Sequence, residues 1–335
     1  MLNPKFTLTS KLLTNLTEIE RFYGQLEGIR IPKQLELNLE RTNLIESSYA
    51  SNSIEGNPLS IGEVTNLLLN GRVPTNRSEK EVVNYFSILK NLESRKNESF
   101  NLHLILDIHK QLLDGLSDDI KGQIRNVPII VGKRQPDQII IKHNPPYHDR
   151  KSIEAALNEL TEWIENTDIS PIFKAGIFHH QFVYLHPFED GNGRACRLLT
   201  ALILLSANYQ INKYFVLDDY YDIDRELYSD SLHSADLGDK TTWLEYFTDG
   251  VKYSLQTALG RVQEGVTKLS LDVRPSPREQ QALEIAKQYK EITSANLVKE
   301  LTITRQQAFN LLKSLSEKGF LDKKGTTKNS YYILK

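Results

Sequence analysis

The sequence has little cysteine and lacks a long apolar run. Cys196 is its single cysteine, which excludes an internal disulfide and suits a reducing compartment. Nowhere do apolar residues approach the roughly 20 in succession that a membrane-spanning helix needs. Residues 1–4 open no signal peptide, because a charged start followed by an apolar run is missing. These absences predict a cytoplasmic protein without a membrane partner.

The chain also lacks an excess of charge of either sign. It has 41 Lys and Arg against 43 Asp and Glu, and a net charge of −2 gives no global attraction to nucleic acid or to a membrane. Internal repeats and low-complexity tracts are absent as well. With 39% hydrophobic and 25% charged residues, the 335-residue chain has the composition of an ordinary globular protein of two or three domains.

The most informative stretch is residues 186–197, His-Pro-Phe-Glu-Asp-Gly-Asn-Gly-Arg-Ala-Cys-Arg. His186 is a candidate general base, since imidazole ordinarily titrates near neutral pH. Pro187 biases His186 away from the helical region, so a helix should end here. Asp190 offers the hard oxygen ligand that Mg²⁺ prefers. A Gly-Asn-Gly turn alone would be commonplace, but this string supplies a base, a metal ligand and two cations together.

The second half of the stretch predicts a phosphate site. Gly191 and Gly193 allow the backbone to approach an anion closely. The apolar run at residues 198–205 predicts a buried helix, which puts the loop at a helix N-terminus, where free N–H groups and the helix dipole favour anions. Arg194 and Arg197 are three residues apart, so we expect both on one side of the first turn, binding phosphate oxygens.

The string resembles the motif of the Fic family, His-Pro-Phe-x-Asp/Glu-Gly-Asn-Gly/Lys-Arg-x-x-Arg, and matches each of its fixed positions. The resemblance covers roughly residues 31–251 and implies a mainly α fold, in which a helical bundle carries a β-hairpin flap. Most Fic proteins with this motif transfer AMP from ATP to a protein hydroxyl. The Doc branch, which phosphorylates, has Lys in place of Gly193, so the glycine favours nucleotidyl transfer.

The resemblance also implies individual roles. His186 would deprotonate a Ser, Thr or Tyr hydroxyl of the target, and Asp190 would hold Mg²⁺. The nucleotide site for ATP would consist of Gly191, Asn192, Gly193, Arg194 and Arg197. The two arginines would bind the β/γ end of ATP. Because the motif contacts phosphates, it leaves the base and the target protein open.

A second motif lies upstream at residues 51–57, Ser-Asn-Ser-Ile-Glu-Gly-Asn. Residues 35–49 look helical, and Gly56 is typical of a helix C-cap, so the motif reads as a helix end. Glu55 would then lie near the negative end of the helix dipole, which is unfavourable without a cationic partner.

This upstream motif resembles the inhibitory pattern Ser/Thr-x-x-x-Glu-Gly/Asn of class II Fic proteins. The corresponding residues are Ser51, Glu55 and Gly56. The resemblance implies that Glu55 pairs with Arg197 and blocks the productive position of the γ-phosphate. Some relatives use this glutamate to remove AMP by aligning a water molecule, so AMP removal stays open.

Two β-branched runs lie between the motifs, within residues 122–132 and 138–146. Gly, Lys, Arg and Pro separate them, which is typical of a hairpin. A lone hairpin in a helical chain needs packing support. The Fic family places a flap here, and the resemblance implies that a target protein docks on residues 122–146 by strand-like pairing. A purely structural hairpin is the alternative.

Other polar and aromatic residues near the motif are expected to be structural. Residues 175–185 carry an apolar face that predicts a core helix. His179 and His180 lie in it, but Cys or acidic residues at a metal-ligand spacing are missing, so we expect both to be structural. Tyr220, Tyr221 and Tyr228 could line a base pocket or accept AMP, and core packing is the favoured role for most of them.

The composition shifts at residues 272–277, a Pro-containing linker. The pattern beyond it predicts helices at residues 278–289, 293–301 and 304–318, then two short strands. This C-terminal part resembles a winged helix-turn-helix domain. Residues 277–335 contain 11 Lys and Arg and 6 Asp and Glu, a net charge of +5, which leaves −7 for the rest of the chain.

The C-terminal part is a candidate DNA-binding module. The third helix begins with types able to contact base edges, namely Arg305, Gln306, Gln307 and Asn310. Basic residues of the wing could touch phosphates, namely Lys323, Lys324 and Lys328. Winged helices also serve in dimerisation and protein docking, and the charge is modest, so the alternatives stay open.

The sequence therefore predicts three parts. They are an N-terminal helical region with the inhibitory helix (1–100), a Fic catalytic core (101–260) and a winged helix-turn-helix domain (275–335). The leading hypothesis is a self-inhibited protein AMP-transferase. A de-AMPylase that uses Glu55 and a DNA-associated regulator are the alternatives, and a homodimer is left open because many Fic proteins self-associate.

Overall fold

The computed structural model describes residues 2–134, 139–273, 275–325 and 330–334. It is mainly helical, as expected, and divides into two compact units, Met1–Val262 and Gln263–Lys335. Across the described ranges, none of the helices has both the length and the apolar character needed to span a membrane.

The first unit is built from helices and one hairpin. Its elements are α1 (Ser10–Gly28), α2 (Lys33–Ile54), α3 (Ile61–Leu69), α4 (Arg77–Asn91), α5 (Leu102–Leu112), β1 (Val131–Arg134), β2 (Ile139–His143), α6 (Arg150–Asn166), α7 (Pro171–Leu185), α8 (Asn192–Ser206), α9 (Asp218–Ile223), α10 (Arg225–His233) and α11 (Thr241–Val273). Short 3-10 turns follow α4 and α10, at Leu92–Arg95 and Ser234–Leu237. The boundary between the two units falls inside α11.

Helices α7 and α8 form the centre of the first unit. They pack against each other, and α2, α4 and α5 also contact α8. Nearly every side chain of α8 is buried, so the helix lacks the polar face of a surface helix and lies within the core. The 186–197 motif consists of the segment between α7 and α8, residues 186–191, and the first residues of α8, so this packing fixes both ends of the segment.

Helix α2 runs further than the sequence pattern predicted. The expected helix ended at residue 49, whereas the observed one continues to Ile54. Its last turn is rich in Ser and Asn, which usually favour turns because their side chains compete for backbone groups. Here Asn52 Nδ2 donates to the carbonyl of Ser48 inside the helix, at 2.8 Å. Ser51 is therefore a helical residue and not part of the turn.

The predicted hairpin is present but shorter than the β-branched runs. Strands β1 and β2 are antiparallel, with Val131 opposite His143 and Gly132 opposite Ile141, and the register shifts between these two pairs. The first strand begins only at Val131, so residues 122–130 reach it as irregular chain. Residues 135–138 of the predicted flap lie outside the described part of the chain.

The second unit follows the predicted order of elements. It contains α12 (Pro277–Ala286), α13 (Ser294–Leu301), α14 (Arg305–Glu317), β3 (Leu321–Lys324) and β4 (Tyr331–Leu334), with the strands paired antiparallel. Thr304 caps α14 as predicted, and Gly319 has a left-handed φ of 80° just after it. Buried residues such as Leu312 and Tyr332 form a separate core. Lys328 lies outside the described residues, and the identification as a winged helix stays a prediction.

Candidate active site

His186 is the C-cap of helix α7 and has an unusual backbone conformation. Its φ is 47°, in the left-handed region, and Pro187 follows, so the helix ends here as predicted. The Nδ1 atom lies 3.3 Å from the carbonyl oxygen of Val183. Because a carbonyl only accepts, Nδ1 carries the proton and Nε2 is left as the acceptor. Burial lowers the pKa of His186 to about 4, so the ring is neutral at neutral pH.

Arg125, just before the hairpin, holds the backbone around His186. It is almost fully buried, and its Nε donates to the carbonyl of His186 at 2.7 Å. The other guanidinium nitrogens donate to the carbonyls of Val127 and Tyr147, at 2.8 and 2.6 Å. The five donors of an arginine suit such a cluster of carbonyls. Arg125 thereby ties the start of the hairpin segment to the loop that begins at His186.

Contacts of Asn192 and His109 also hold the loop between α7 and α8 in its conformation. The side chain of Asn192 accepts from the N–H of Phe188 at 2.9 Å and donates to the carbonyl of Phe188 at 2.8 Å. His109 of α5 stacks on the Phe188 ring with centroids 3.6 Å apart, and its Nε2 lies 3.0 Å from the carbonyl of Asp190. The side chain of Asn192 therefore shapes the loop, and a ligand would meet the backbone of this residue.

Helix α8 begins where the sequence predicts an anion site. Gly191 is its N-cap, with a left-handed φ of 79°, so Asn192, Gly193 and Arg194 form the first helical turn. The N–H groups of a first turn have no partner within their own helix. Together with the positive end of the helix dipole, they form a place for phosphate oxygens.

Arg194 is a buried cation with spare hydrogen-bonding capacity. It is 3% exposed, and its Nη2 donates to Asp190 Oδ1 at 3.2 Å. Its Nε and Nη1 find no hydrogen-bond partner among the described residues, although Nη1 lies 3.6 Å from a carboxylate oxygen of Glu81. Unpaired buried donors are costly, so an anionic group is the natural partner for these atoms.

Asp190 faces solvent and is shared by two arginines. Its side chain is 38% exposed, and Oδ2 accepts from Arg77 Nη2 at 2.9 Å, while Oδ1 accepts from Arg194. Arg77 belongs to the first turn of α4 and also donates to Glu81. A half-exposed carboxylate beside a phosphate site has the chemistry of a Mg²⁺ ligand. Sequence reasoning missed Arg77, because it lies 113 residues from Asp190.

Arg197 is buried and held by the end of helix α2. Its Nε donates to Ser51 Oγ at 2.6 Å, and its Nη2 donates to the carbonyl of Ser51 and to Glu55 Oε1, both at 2.8 Å. Burial by itself lowers the pKa of Arg197, but the nearby Glu55 and Asp218 reverse this and hold it above its usual value. The structure thus brings together the two motifs that the sequence singled out.

Gly193 and Gly56 provide the space and the turn for this contact. A Cβ atom at Gly193 would overlap Glu55 Oε1 and lie 3.1 Å from Arg197 Nη1. Gly56 follows Glu55 with a φ of 87°, which L side chains rarely adopt, and its N–H bonds to the carbonyl of Ser53. The Glu55 side chain stays 39% exposed beside the buried arginine.

A second carboxylate, Asp218, lies behind Arg197. Asp218 Oδ1 is 4.0 Å from Arg197 Nε, and its other oxygen accepts from Ser47 and, at 3.0 Å, from the hydroxyl of Tyr85. Burial raises the pKa of Asp218, and Arg197 and these hydroxyls oppose that rise. Sequence reasoning missed Asp218, whose only signal in the sequence was the run of apolar residues directly before it.

The remaining candidates pack in the core. His179 lies 2.7 Å from the Tyr228 hydroxyl and 3.1 Å from Thr200 Oγ1, both within the buried interior. Tyr221 stacks on Tyr228 with ring centroids 4.6 Å apart, while Tyr220 is half-buried against other tyrosines. These contacts agree with the expected packing roles.

Comparison with known proteins supports the resemblance. The model of the Fic/DOC family matches residues 99–204. Protein adenylyltransferase fic-1 of Caenorhabditis elegans is 28% identical over 250 residues, which cover 70% of this chain and 46% of that protein. Protein adenylyltransferase Fic of Nematostella vectensis is 29% identical over 185 residues, covering 52% and 41%. The chain spans less than half the length of these curated relatives.

Solved structures show a similar fold. A Fic family protein from Desulfovibrio desulfuricans superposes with a TM-score of 0.70 at 24% identity and covers 100% of this chain and 98% of its own. Fic-1 of Caenorhabditis elegans gives a TM-score of 0.61 at 25% identity, over 74% of this chain and 72% of that one.

Proposed function

Residues 99–204 are a Fic domain, and on this premise we propose that the chain is a self-inhibited protein AMP-transferase. It would move AMP from ATP to a Ser, Thr or Tyr hydroxyl of a target protein or of itself. The observation that carries the proposal is the contact of Glu55 with Arg197 beside a second, partly unpaired arginine, Arg194.

The residues present fit a nucleoside triphosphate. The unpaired donors of Arg194 and the first-turn N–H groups of α8 can donate hydrogen bonds to an anion. Gly191 and Gly193 have no side chains that would keep a phosphate away from these backbone N–H groups. Arg197 would bind the terminal phosphates once Glu55 has moved away from it.

Asp190 fits the metal that such a reaction uses. Its half-exposed carboxylate, adjacent to the phosphate site, would hold Mg²⁺ together with phosphate oxygens and water. When bound, the ion supplies charge neutralisation of the phosphates. The contact of Asp190 with Arg77 would have to give way for this, and the exposure of both side chains makes that inexpensive.

His186 would act as the general base. The target hydroxyl gives its proton to Nε2 of His186, its oxygen forms a bond to the α-phosphorus, and the bond to the leaving pyrophosphate breaks. A neutral ring is required for the first step, and burial keeps His186 neutral at neutral pH by lowering its pKa to about 4. Arg125 would keep the ring in place through the carbonyl of His186.

Glu55 would inhibit the transfer, and this inhibitory contact with Arg197 is called the brake. Paired with Arg197 and lying over Gly193, its carboxylate takes the space that the terminal phosphate needs, and its negative charge repels that phosphate. Ser51 would keep Arg197 aligned with Glu55, and Gly56 would provide the sharp turn at the end of α2.

The other parts of the chain receive roles on the same premise. Residues 1–100 would carry the brake, residues 101–260 the catalytic core, and residues 275–335 a winged helix-turn-helix module. The 122–146 flap would hold an extended segment of the target beside His186 by backbone pairing. A homodimer is compatible with this arrangement.

AMP removal is a second candidate, favoured by one observation. The Glu55 side chain borders solvent while the arginine it pairs with is buried. A carboxylate so placed can orient a water molecule towards an AMP-modified residue. In that case Glu55 would be required for activity instead of restraining it.

A DNA-associated role is the third candidate. Arg305, Gln306 and Asn310 are exposed on the first turns of α14, with Gln306 donating to Asn310 at 3.1 Å. Residues of these types can read base edges in the major groove. Sequence-specific binding that weakens when Arg305 and Gln306 are changed would support this role, and salt-sensitive binding without sequence preference would contradict it.

The test of the leading proposal is the intact mass of three proteins after incubation with ATP and Mg²⁺. They are the wild type, Glu55→Gly, and Glu55→Gly combined with His186→Ala. We expect a gain of one AMP in Glu55→Gly alone. AMP release from a modified protein by the wild type, lost in Glu55→Gly, would favour the second candidate instead.

A further inference from the structure

Three side chains with metal-binding atoms meet beside the base of the hairpin, separately from the phosphate loop. The Nδ1 atoms of His143 and His233 lie 2.8 and 3.1 Å from the same carboxylate oxygen, Oδ2 of Asp236. All three ligand atoms lie within 4.8 Å of one another. His143 ends β2, His233 ends α10, and Asp236 lies in the following 3-10 turn.

The contacts of His143 require either a proton or a metal ion at its Nδ1 atom. Its Nε2 lies 2.8 Å from the carbonyl oxygen of Tyr184, which can only accept, so Nε2 carries a hydrogen. In the neutral ring Nδ1 then presents a lone pair to the carboxylate of Asp236. Two acceptors at 2.8 Å require a positive charge between or beside them, and that charge is either a proton or a metal ion.

The surroundings orient these groups as the outer contacts of a metal site do. Metal-binding histidines commonly donate their other N–H to a backbone carbonyl, as His143 does to Tyr184. The second oxygen of Asp236 accepts from His180 Nε2 at 2.9 Å, and His180 Nδ1 accepts from Lys240 at 2.9 Å. These contacts fix the direction of the Asp236 carboxylate.

The cluster is reachable from solvent. A surface cavity of about 480 Å³ is lined by residues 2–5 and by Tyr184, Asp236 and Lys240, among others. The side chain of His233 is 18% exposed and that of Asp236 is 21% exposed. The cavity borders Asp236, and the exposed parts of His233 and Asp236 give solvent access to the cluster.

We propose that His143, His233 and Asp236 bind one divalent transition-metal ion, and that this ion fastens the base of the flap hairpin to the end of α10. Two imidazoles and a carboxylate are a ligand set that Zn²⁺ accepts, with water as the fourth ligand. Tetrahedral bonds of about 2.0–2.1 Å place ligand atoms roughly 3.4 Å apart, so the separations of 2.8 and 3.1 Å would widen, and the two Nδ1 atoms, which lie within 4.8 Å of each other, would take the same spacing.

The site has a structural consequence for the catalytic loop. Its ligand His143 donates to the carbonyl of Tyr184, two residues before His186. A bound ion would therefore join the second flap strand and the end of α7 more firmly than a proton could. This role is independent of nucleotide chemistry, so it goes beyond the proposed function.

The first test is metal binding by the full chain, free of affinity tags and treated with a chelator. We expect calorimetry with Zn²⁺ at pH 7.5 to show one equivalent per chain. Co²⁺ should bind in its place and give the visible absorption of a tetrahedral site. Absence of saturable Zn²⁺ binding and of a Co²⁺ band in the wild type would overturn the proposal.

Variants locate the site. His233→Ala and Asp236→Asn should weaken Zn²⁺ binding by at least about tenfold, while His103→Ala, a change at an exposed histidine elsewhere, should not. Asp190→Asn removes the proposed Mg²⁺ ligand and should leave the Zn²⁺ equivalent intact, which separates this site from the phosphate loop. Circular dichroism checks the folding of each variant. Zn²⁺ binding that survives both ligand changes, or that disappears in Asp190→Asn, would contradict the proposal.

Discussion

The carboxylate of Glu55 lies directly over the Cα atom of Gly193, in the space that any larger side chain at position 193 would fill. Glu55 comes from the end of α2 and Gly193 from the first turn of α8. The salt bridge from Glu55 to Arg197 at 2.8 Å therefore depends on the missing Cβ atom. A side chain introduced at position 193 therefore tests whether Glu55 and Arg197 are in contact in solution.

Gly193→Ala should displace the Glu55 carboxylate from Arg197, since the added methyl overlaps the end of a flexible side chain that is 39% exposed, and should lower the free energy of unfolding by at most about 1 kcal/mol. Much of that loss should disappear in the Glu55→Gly background, because the overlapping carboxylate is then gone. Chemical denaturation of the two single variants and the double variant measures the coupling. Gly24→Ala is the matched control, with open space at its Cβ, and should be neutral or slightly stabilising. Additive effects of the two changes would mean that the contact is absent in solution.

Glu55→Gly should raise AMP incorporation well above the wild type, since Arg197 becomes free to bind the terminal phosphate. Glu55→Gln keeps the size of the side chain and removes its charge, so its rate should fall between the two. Mass spectrometry of the protein after a fixed incubation with ATP and Mg²⁺ gives the ranking. Equal rates for all three proteins would exclude Glu55 as a brake.

Arg77→Ala should reduce the Mg²⁺ concentration needed for half-maximal activity, because Asp190 Oδ2 loses a competing cation. The contact is half-exposed and worth at most about 1 kcal/mol, so the shift should not exceed about fivefold. The measurement is a Mg²⁺ titration in the Glu55→Gly background. Arg72→Ala is the control, since Arg72 is similarly exposed but pairs with Glu79. The same shift in both variants would rule out a specific effect on Asp190.

The activity of Glu55→Gly should stay level as the pH falls from 8 to about 6. Burial lowers the pKa of His186 to about 4, so the ring remains a neutral base over that range and becomes protonated only in more acidic solution. The test is the pH dependence of kcat/KM at saturating Mg²⁺. A decline centred near pH 6.5 would show that His186 titrates as an exposed imidazole does.

Arg125→Lys should destabilise the fold, because an ammonium group cannot reach all the carbonyls that the guanidinium serves. Each buried carbonyl left without a donor costs about 1–3 kcal/mol. Arg150→Lys is the control, since Arg150 makes one such bond, to the carbonyl of Ile124 at 3.2 Å. Thermal melting compares the two variants, and equal Tm values would show that the carbonyl contacts of Arg125 add no stability beyond that of a single such bond.

Local patterns predicted much of the secondary structure. The end of α7 at His186 follows from the proline after it, and the start of α8 follows from the glycines before an apolar run. The helices and strands of the second unit also lie close to their predicted positions. Such features depend on neighbours within one or two turns, which the sequence displays directly. The end of α2 was placed five residues too early, because the burial of its Ser and Asn side chains is a tertiary effect.

The sequence by itself determined which residue types stand together in each motif: a histidine, an acid, two glycines and two arginines in one string, with Ser51 and Glu55 in another. The tertiary structure decided which of them meet, and it added partners from distant segments. Arg77 reaches Asp190, Asp218 lies behind Arg197, and His143 meets Asp236. These pairs are separated by many residues, and packing between whole elements, such as α4 against α8 and α9 against α2, brings distant segments together. A single sequence contains no periodicity that encodes such distances, because they arise from how whole elements pack.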